Sequence, residues 1–259
     1  MSNKVPEATL VFWAIKIMAT TVGETGADYL AVHVGLGTAV TGGMMLVLLL
    51  AALAGQLRTR KYVPWIYWLT VVLVSVVGTQ ITDALTDKLG VSLYASTIAF
   101  ALALAVVFGL WYRSERTLSI HTINTTRREL FYWAAVLFTF ALGTAAGDLA
   151  TEALGLGFVI GVVVFGALIA LVSTLYYVGS NPVLTFWLAY ILTRPLGASF
   201  GDLLSQSQAY GGVGLGTINT SLLFLTAIAV LVIFASATAT ANATAARTVS
   251  TPASKRASK

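Results

Sequence analysis

Apolar residues run along this chain in stretches long enough to cross a bilayer, and short polar breaks separate them. "LVLLLAALAG", "IAFALALAVVFGL", "FVIGVVVFGALIALV" and "SLLFLTAIAVLVIFA" each sit in a nearly charge-free window of about 20 residues, the length that hydrocarbon requires of a helix. The pattern predicts eight transmembrane helices, near residues 10–30, 38–57, 63–86, 91–112, 130–152, 156–178, 183–205 and 213–235. The opening "MSNKVPEATL" has no apolar core followed by a small-residue cleavage site, so residues 1–9 read as a short amino-terminal segment and not a removable signal. From Ser236 the chain turns small, polar and basic, "SATATANATAARTVSTPASKRASK". Residues 236–259 are expected to be disordered, because they have too little apolar surface to bury.

A second pattern lies inside the first. Four segments align on an aromatic–tryptophan pair: "FWAIKIMATTVGETGADYL", "YWLTVVLVSVVGTQITDAL", "YWAAVLFTFALGTAAGDLA" and "FWLAYILTRPLGASFGDLL". Ten residues after Trp13, Trp68, Trp133 and Trp187 come Gly23, Gly78, Gly143 and Gly197. Fifteen residues after them come Asp28, Asp83, Asp148 and Asp202, each preceded by a small residue: Ala27, Thr82, Gly147 and Gly201. Fixed spacing in four copies is an internal repeat, with units near 10–57, 63–112, 130–178 and 183–235 inside a transmembrane domain spanning 10–235. Each unit supplies a motif helix and a plainer apolar helix. An even helix count gives every unit the same orientation, so the repeats are parallel and related by axes along the membrane normal. The expected fold is an all-α membrane bundle, pseudo-fourfold or two-plus-two.

The spacing assigns depths. At about 1.5 Å per residue the aspartate lies roughly 22 Å along the helix from the tryptophan. With tryptophan at an interface, its favoured place, glycine falls near mid-membrane and aspartate in the far half. The glycine and the small residue four positions on share one helix face, which lets another backbone come close. Gly23, Gly78, Gly143, Gly147, Gly197 and Gly201 are therefore the expected helix-packing residues. Further acids sit one turn from the aspartates: Glu24 before Asp28, Asp87 after Asp83, Glu152 after Asp148. Carboxylates at that spacing share a face and repel unless a cation, a proton or water intervenes. The fourth copy differs. Gln206 replaces the second acid, and Arg194 and Pro195 interrupt the helix upstream. Lys16 and Arg194 are the basic residues within spans, expected as a charge partner or gate. Lys16 is placed to snorkel toward the interface, and Asp202 is the nearest acid to Arg194 on its own helix.

Composition narrows the classes. Only 10% of the 259 residues are charged, against roughly a quarter in soluble domains. Cysteine is absent, which excludes disulfides, thiolate metal sites and thiol catalysis. Lys4, Arg58, Arg60, Lys61, Arg113, Arg116, Arg127 and Arg128 lie on one side of the hairpins with the basic tail, while the other side offers Lys88. That asymmetry predicts both termini in the cytoplasm. The net charge of +5 needs no nucleic acid, because topology and anionic headgroups account for it. His33 and His121 fall singly in loops and read as surface residues.

With Trp13, Trp68, Trp133 and Trp187 in place, residues 10–235 resemble a bacterial family of membrane proteins. That family is built from four tandem two-helix repeats, each with a characteristic tryptophan, and the repeat is one of unknown function. The resemblance implies the fold and a bacterial inner (plasma) membrane, and no substrate.

A carboxylate at the bilayer centre costs about 2.5–3.5 kcal/mol on insertion scales, so its default role is in a substrate or ion pathway. The expected function is a secondary transporter of a hard cation, a divalent metal such as Mn²⁺ exchanged for protons being the specific form. Asp28, Asp83, Asp148 and Asp202 would ring the site as cation, proton or metal ligands, helped by Glu24, Asp87 and Glu152. Oxygen donors suit hard cations. Apart from the transported cation or proton no cofactor is expected. The partners are the lipid bilayer and that cation, and the oligomeric state stays open. A cation channel with an acidic ring and a non-transporting scaffold or sensor are the other readings. An enzyme is not expected, since no catalytic, nucleotide-binding or metalloprotease motif is present.

Overall fold

The computed structural model describes the backbone of residues 3–32 and 38–250; the side chains of residues 28, 31, 32, 38 and 238–250 lie outside the described set. Eight long α-helices carry the chain: α1 (Leu10–Val32), α2 (Thr38–Arg58), α3 (Pro64–Asp83), α4 (Leu93–Glu115), α5 (Thr126–Asp148), α6 (Gly157–Tyr177), α7 (Pro182–Ser205) and α8 (Thr217–Ser250). No strand occurs among the described residues. Local chemistry sets the starts: Pro64 and Pro182 occupy the first turns of α3 and α7, and Ser92, Thr125 and Asn181 cap α4, α5 and α7 through their side-chain oxygens.

The four motif helices α1, α3, α5 and α7 contact one another in cyclic order, α7 closing on α1. Each plainer helix packs mainly on the motif helix of the following repeat: α2 on α3, α4 on α5, α6 on α7, and α8 back on α1. Burial separates the two sets. In their most apolar stretches α3, α5 and α7 are 67%, 61% and 56% buried, against 17% in each of α2, α4, α6 and α8. The outer helices turn Val47, Leu102, Val163 and Ile233 outward, an apolar belt that only lipid would solvate well. Among the described residues seven helices are long and apolar enough to cross a membrane; α1, which carries Lys16, Glu24 and Asp28, is not among them. The chain is a multi-pass helical membrane protein.

The tryptophans pack between helices: Trp68, Trp133 and Trp187 are buried in the aromatic core of the ring. Their rings pack at 5.5 Å from Tyr67 to Trp133 and 5.6 Å from Trp187 to Tyr190. Backbones held together by small residues leave a tapered space that large rings fill. The tail expected to be disordered from Ser236 continues α8 to Ser250. "ATATANATAA" is rich in alanine, the strongest helix former, and an established helix propagates at little cost. Residues 251–259 lie outside the described residues.

Candidate functional site

The repeat glycines set the ring's geometry. A Cβ on Gly23 would fall 2.6 Å from Ser75 Cβ on α3, and one on Gly78 would fall 2.8 Å from Phe140 Cβ on α5. On Gly143 it would fall 2.5 Å from Arg194 Cγ on α7, and on Gly197 2.6 Å from Thr20 Cβ on α1. Each glycine therefore faces the position three residues before the glycine of the next motif helix. The small residues one turn on repeat the contact: Gly147 faces Pro195, Gly201 faces Thr21, and Thr82 Oγ1 donates to Ala141 O at 3.2 Å. Residue numbers rise together on both sides of every seam, so the four motif helices run parallel.

The four facing positions hold Thr20, Ser75, Phe140 and Arg194. One register, four different side chains: the ring is cyclic in its backbone and asymmetric in its chemistry. Arg194 is fully buried. Its Nη2 donates to Glu24 Oε2 at 2.7 Å and to Thr79 Oγ1, its Nη1 donates to Thr20 O at 3.0 Å, and its Nε has no partner among the described residues. The partner of Arg194 is thus Glu24 on α1 and not Asp202, because the side chain points across the α1–α7 seam and not along its own helix. Lys16 does not snorkel. It is buried, with Nζ over the rings of Phe140 at 4.1 Å and Tyr190 at 4.3 Å, and it donates to Thr193 Oγ1 at 3.3 Å. Aromatic faces supply a partial counterpart to its charge.

Toward the aspartate end the ring opens. A cavity of about 710 Å³ is lined by Glu24 of α1, Asp83 and Asp87 at the end of α3, and Asp148 and Glu152 at the end of α5, with Gln80 and Lys88. Asp148, half-buried, stands within electrostatic reach of Glu24, Glu152, Asp83 and Arg194. Both α3 and α5 stop at their aspartate and continue as one wider π turn, Ala84–Lys88 and Leu149–Ala153. Leu89 N donates to Ala84 O at 3.2 Å and Leu154 N to Leu149 O at 2.9 Å, five residues back in each case. Gly90 and Gly155 then end the turns with φ of +67° and +68°, a left-handed step glycine takes freely. Such turns concentrate at functional sites. Here they spread Asp83 from Asp87 and Asp148 from Glu152 around the cavity mouth.

Five of the predicted acids therefore share one cavity. Asp202 is not among its lining residues: α7 stands across the ring from α3, on whose side the cavity opens. The side chain of Asp28, and all of His33, lie outside the described residues. Among the described residues no three carboxylates or histidines come close enough to hold one metal ion together. Of the expected ring of Asp28, Asp83, Asp148 and Asp202, Asp83 and Asp148 line the cavity, Asp202 does not, and the side chain of Asp28 lies outside the described residues. Asp83 and Asp148 end α3 and α5 at the rim of the cavity.

Sequence reasoning passed over Gln80, Thr79 and Phe140, which no motif marks. It also passed over Glu129, which is buried at the tryptophan end and paired with Lys4 at 2.5 Å, and which accepts from Gln56 Nε2 at 3.1 Å. Lys4, read as a flanking charge, is inside the protein. One signal was available for the π turns: Asp83 and Asp148 each have glycine seven residues on, Gly90 and Gly155, while Asp202 is followed at that distance by Ala209.

The family described as a Repeat of Unknown Function (DUF347) matches the chain four times, over residues 11–62, 66–117, 131–180 and 185–240. The chain belongs to this family. Each DUF347 match takes in one motif helix and the plainer helix after it, so the family's unit is the hairpin whose second helix packs on the next hairpin. No curated protein and no solved structure matches the chain.

Proposed function

We propose that this DUF347 protein is a secondary transporter of a hard cation, which it binds in the acidic cavity. The reading places all eight helices across a bacterial inner membrane with both termini cytoplasmic, and treats the four repeats as a pseudo-fourfold carrier. One observation carries it: five carboxylates from three helices line a single cavity, and one of them, Glu24, is paired with the buried Arg194. Acids gathered at that density repel one another, and a cation or proton relieves the repulsion. Exchange of a divalent cation such as Mn²⁺ for protons uses both ways of relieving it. Burial favours a carrier over an open acidic channel: Arg194 and Lys16 are enclosed between the motif helices, in contact with Glu24 and with the rings of Phe140 and Tyr190.

Reconstitution tests it. Purified protein in liposomes, loaded and diluted to impose a pH gradient, is assayed with Mn²⁺, Mg²⁺, Ca²⁺ and Na⁺ in turn. Saturable flux of one of them, lost in a folded Asp83→Asn/Asp148→Asn variant, is the expected result. Absence of flux for all four, with or without the gradient, would reject the transporter.

A further inference from the structure

Glu24 faces two ways. On one side it lines the acidic cavity, and on the other it accepts from the Arg194 guanidinium. Behind Arg194 lies the ring of Phe140, its centroid 6.0 Å from the guanidinium carbon, and the same ring carries Lys16. Lys16 donates to Thr193, the residue before Arg194, and Thr193 lines a second cavity of about 760 Å³ that opens at the tryptophan end between α1, α6 and α7. Thr193 thus borders the second cavity, while Arg194 relates to the acidic one through Glu24, which lines it. The guanidinium is held by Glu24, Thr79 and the Thr20 carbonyl, yet its buried Nε has no partner. It is seated on Glu24 as a cation without being locked at every donor.

We propose that Arg194 is a tethered cation that takes the transported ion's place on Glu24 whenever the carrier is empty. The inference rests on the transporter reading and specifies how that site is regulated. An ionised Glu24 enclosed without a countercharge is strongly disfavoured, so an empty carrier lacking Arg194 could not close around it and reorient. With Arg194 seated, the empty site is a neutral pair. The carrier then returns without the transported cation, with protons on the remaining acids as its countercargo, and cation transport is net, with no obligatory exchange of one such cation for another. An arriving ion must displace Arg194. Gly143 lets the stem of Arg194 seat against α5, since a side chain there would meet Arg194 Cβ and Cγ at 2.5 Å.

The test separates two transport modes in proteoliposomes, using whichever of Mn²⁺, Mg²⁺, Ca²⁺ and Na⁺ the wild type carries. Net uptake into ion-free vesicles needs the empty carrier to return, whereas isotope exchange between ion-loaded compartments does not. Wild type performs both. Arg194→Gln keeps exchange within about threefold and loses net uptake by about 100-fold or more, the scale on which an uncompensated buried charge suppresses a state. A variant that keeps both modes overturns the proposal. A wild type that carries none of the four ions rejects the transporter reading instead, so the two failures are distinguishable. If Arg194→Gln is inactive in both modes, a second measurement decides in protein that retains Arg194. The chain has no cysteine, so Thr79→Cys introduces a single thiol beside the guanidinium. Saturating ion is expected to raise its rate of labelling by a small methanethiosulfonate reagent severalfold as Arg194 departs, and an unchanged rate overturns the proposal.

Discussion

The helix pair α3/α5 and the helix pair α1/α7 carry the same repeat motif and use it differently. In α3 and α5 the motif aspartate ends the helix, a π turn follows, and two acids per helix open onto the cavity. In α1 and α7 the charges lie deeper: Lys16, Glu24 and Arg194 are buried, and the last two are joined at 2.7 Å. One half makes an acidic mouth and the other closes it. The backbone register at every glycine seam is the same, so the division comes from single side chains at equivalent positions, Arg194 where the other copies have Thr20, Ser75 and Phe140. Tandem duplication supplied a ring, and substitution within it made two kinds of corner.

Perturbing the buried half should do the most damage. Arg194→Ala leaves Glu24 enclosed without a countercharge, which costs about 3–5 kcal/mol. A denaturant titration of the purified protein should register that loss, and Glu24→Met/Arg194→Met should recover most of it, since an apolar pair of similar volume needs no compensation. If the double substitution is as unstable as the single one, the cost is packing and not charge.

The seam between the halves comes next. Gly143→Leu drives a side chain into Arg194 and Pro195 and should destabilise by at least about 1–3 kcal/mol, the usual range for overpacking. Gly166→Leu on the outward helix α6, where a Cβ would meet nothing within 4 Å, should be neutral or slightly stabilising. Equal effects at the two sites would erase the distinction between inner and outer helices.

Smaller effects belong to the acidic mouth. Asp148→Asn should cost about tenfold in cation affinity, or about 1.4 kcal/mol, while stability holds or rises because like charges are removed. Asp87→Asn, at the exposed rim, should cost only about two- to threefold and should fade in high salt, because exposed charges are screened. A rim effect equal to that of Asp148 would place the site outside the cavity.

The ring itself was legible in the sequence: Trp13, Gly23 and Asp28 recur at fixed spacing, and glycine on one face dictates where a neighbour can approach. What was not legible is what points across a seam. Asp202 shares a helix with Arg194, so periodicity pairs them, yet the guanidinium reaches Glu24, 170 positions away. Lys16 near a helix start looks free to snorkel, and only the placement of Phe140 and Tyr190 beneath it explains why it stays inside. Asp83 and Asp148 line one cavity, but the π turns that follow them depend on Gly90 and Gly155, a spacing that a search centred on tryptophan passes over.

Calorimetric titration of Mn²⁺, Mg²⁺, Ca²⁺ and Na⁺ into the purified protein, beside a folded Asp83→Asn/Asp148→Asn variant, tests the central claim most directly. Selective binding of one cation by the wild type, absent from the variant, is the predicted result. No binding by either protein across a range of pH, or equal binding by both, would contradict an acidic cavity built to take a cation.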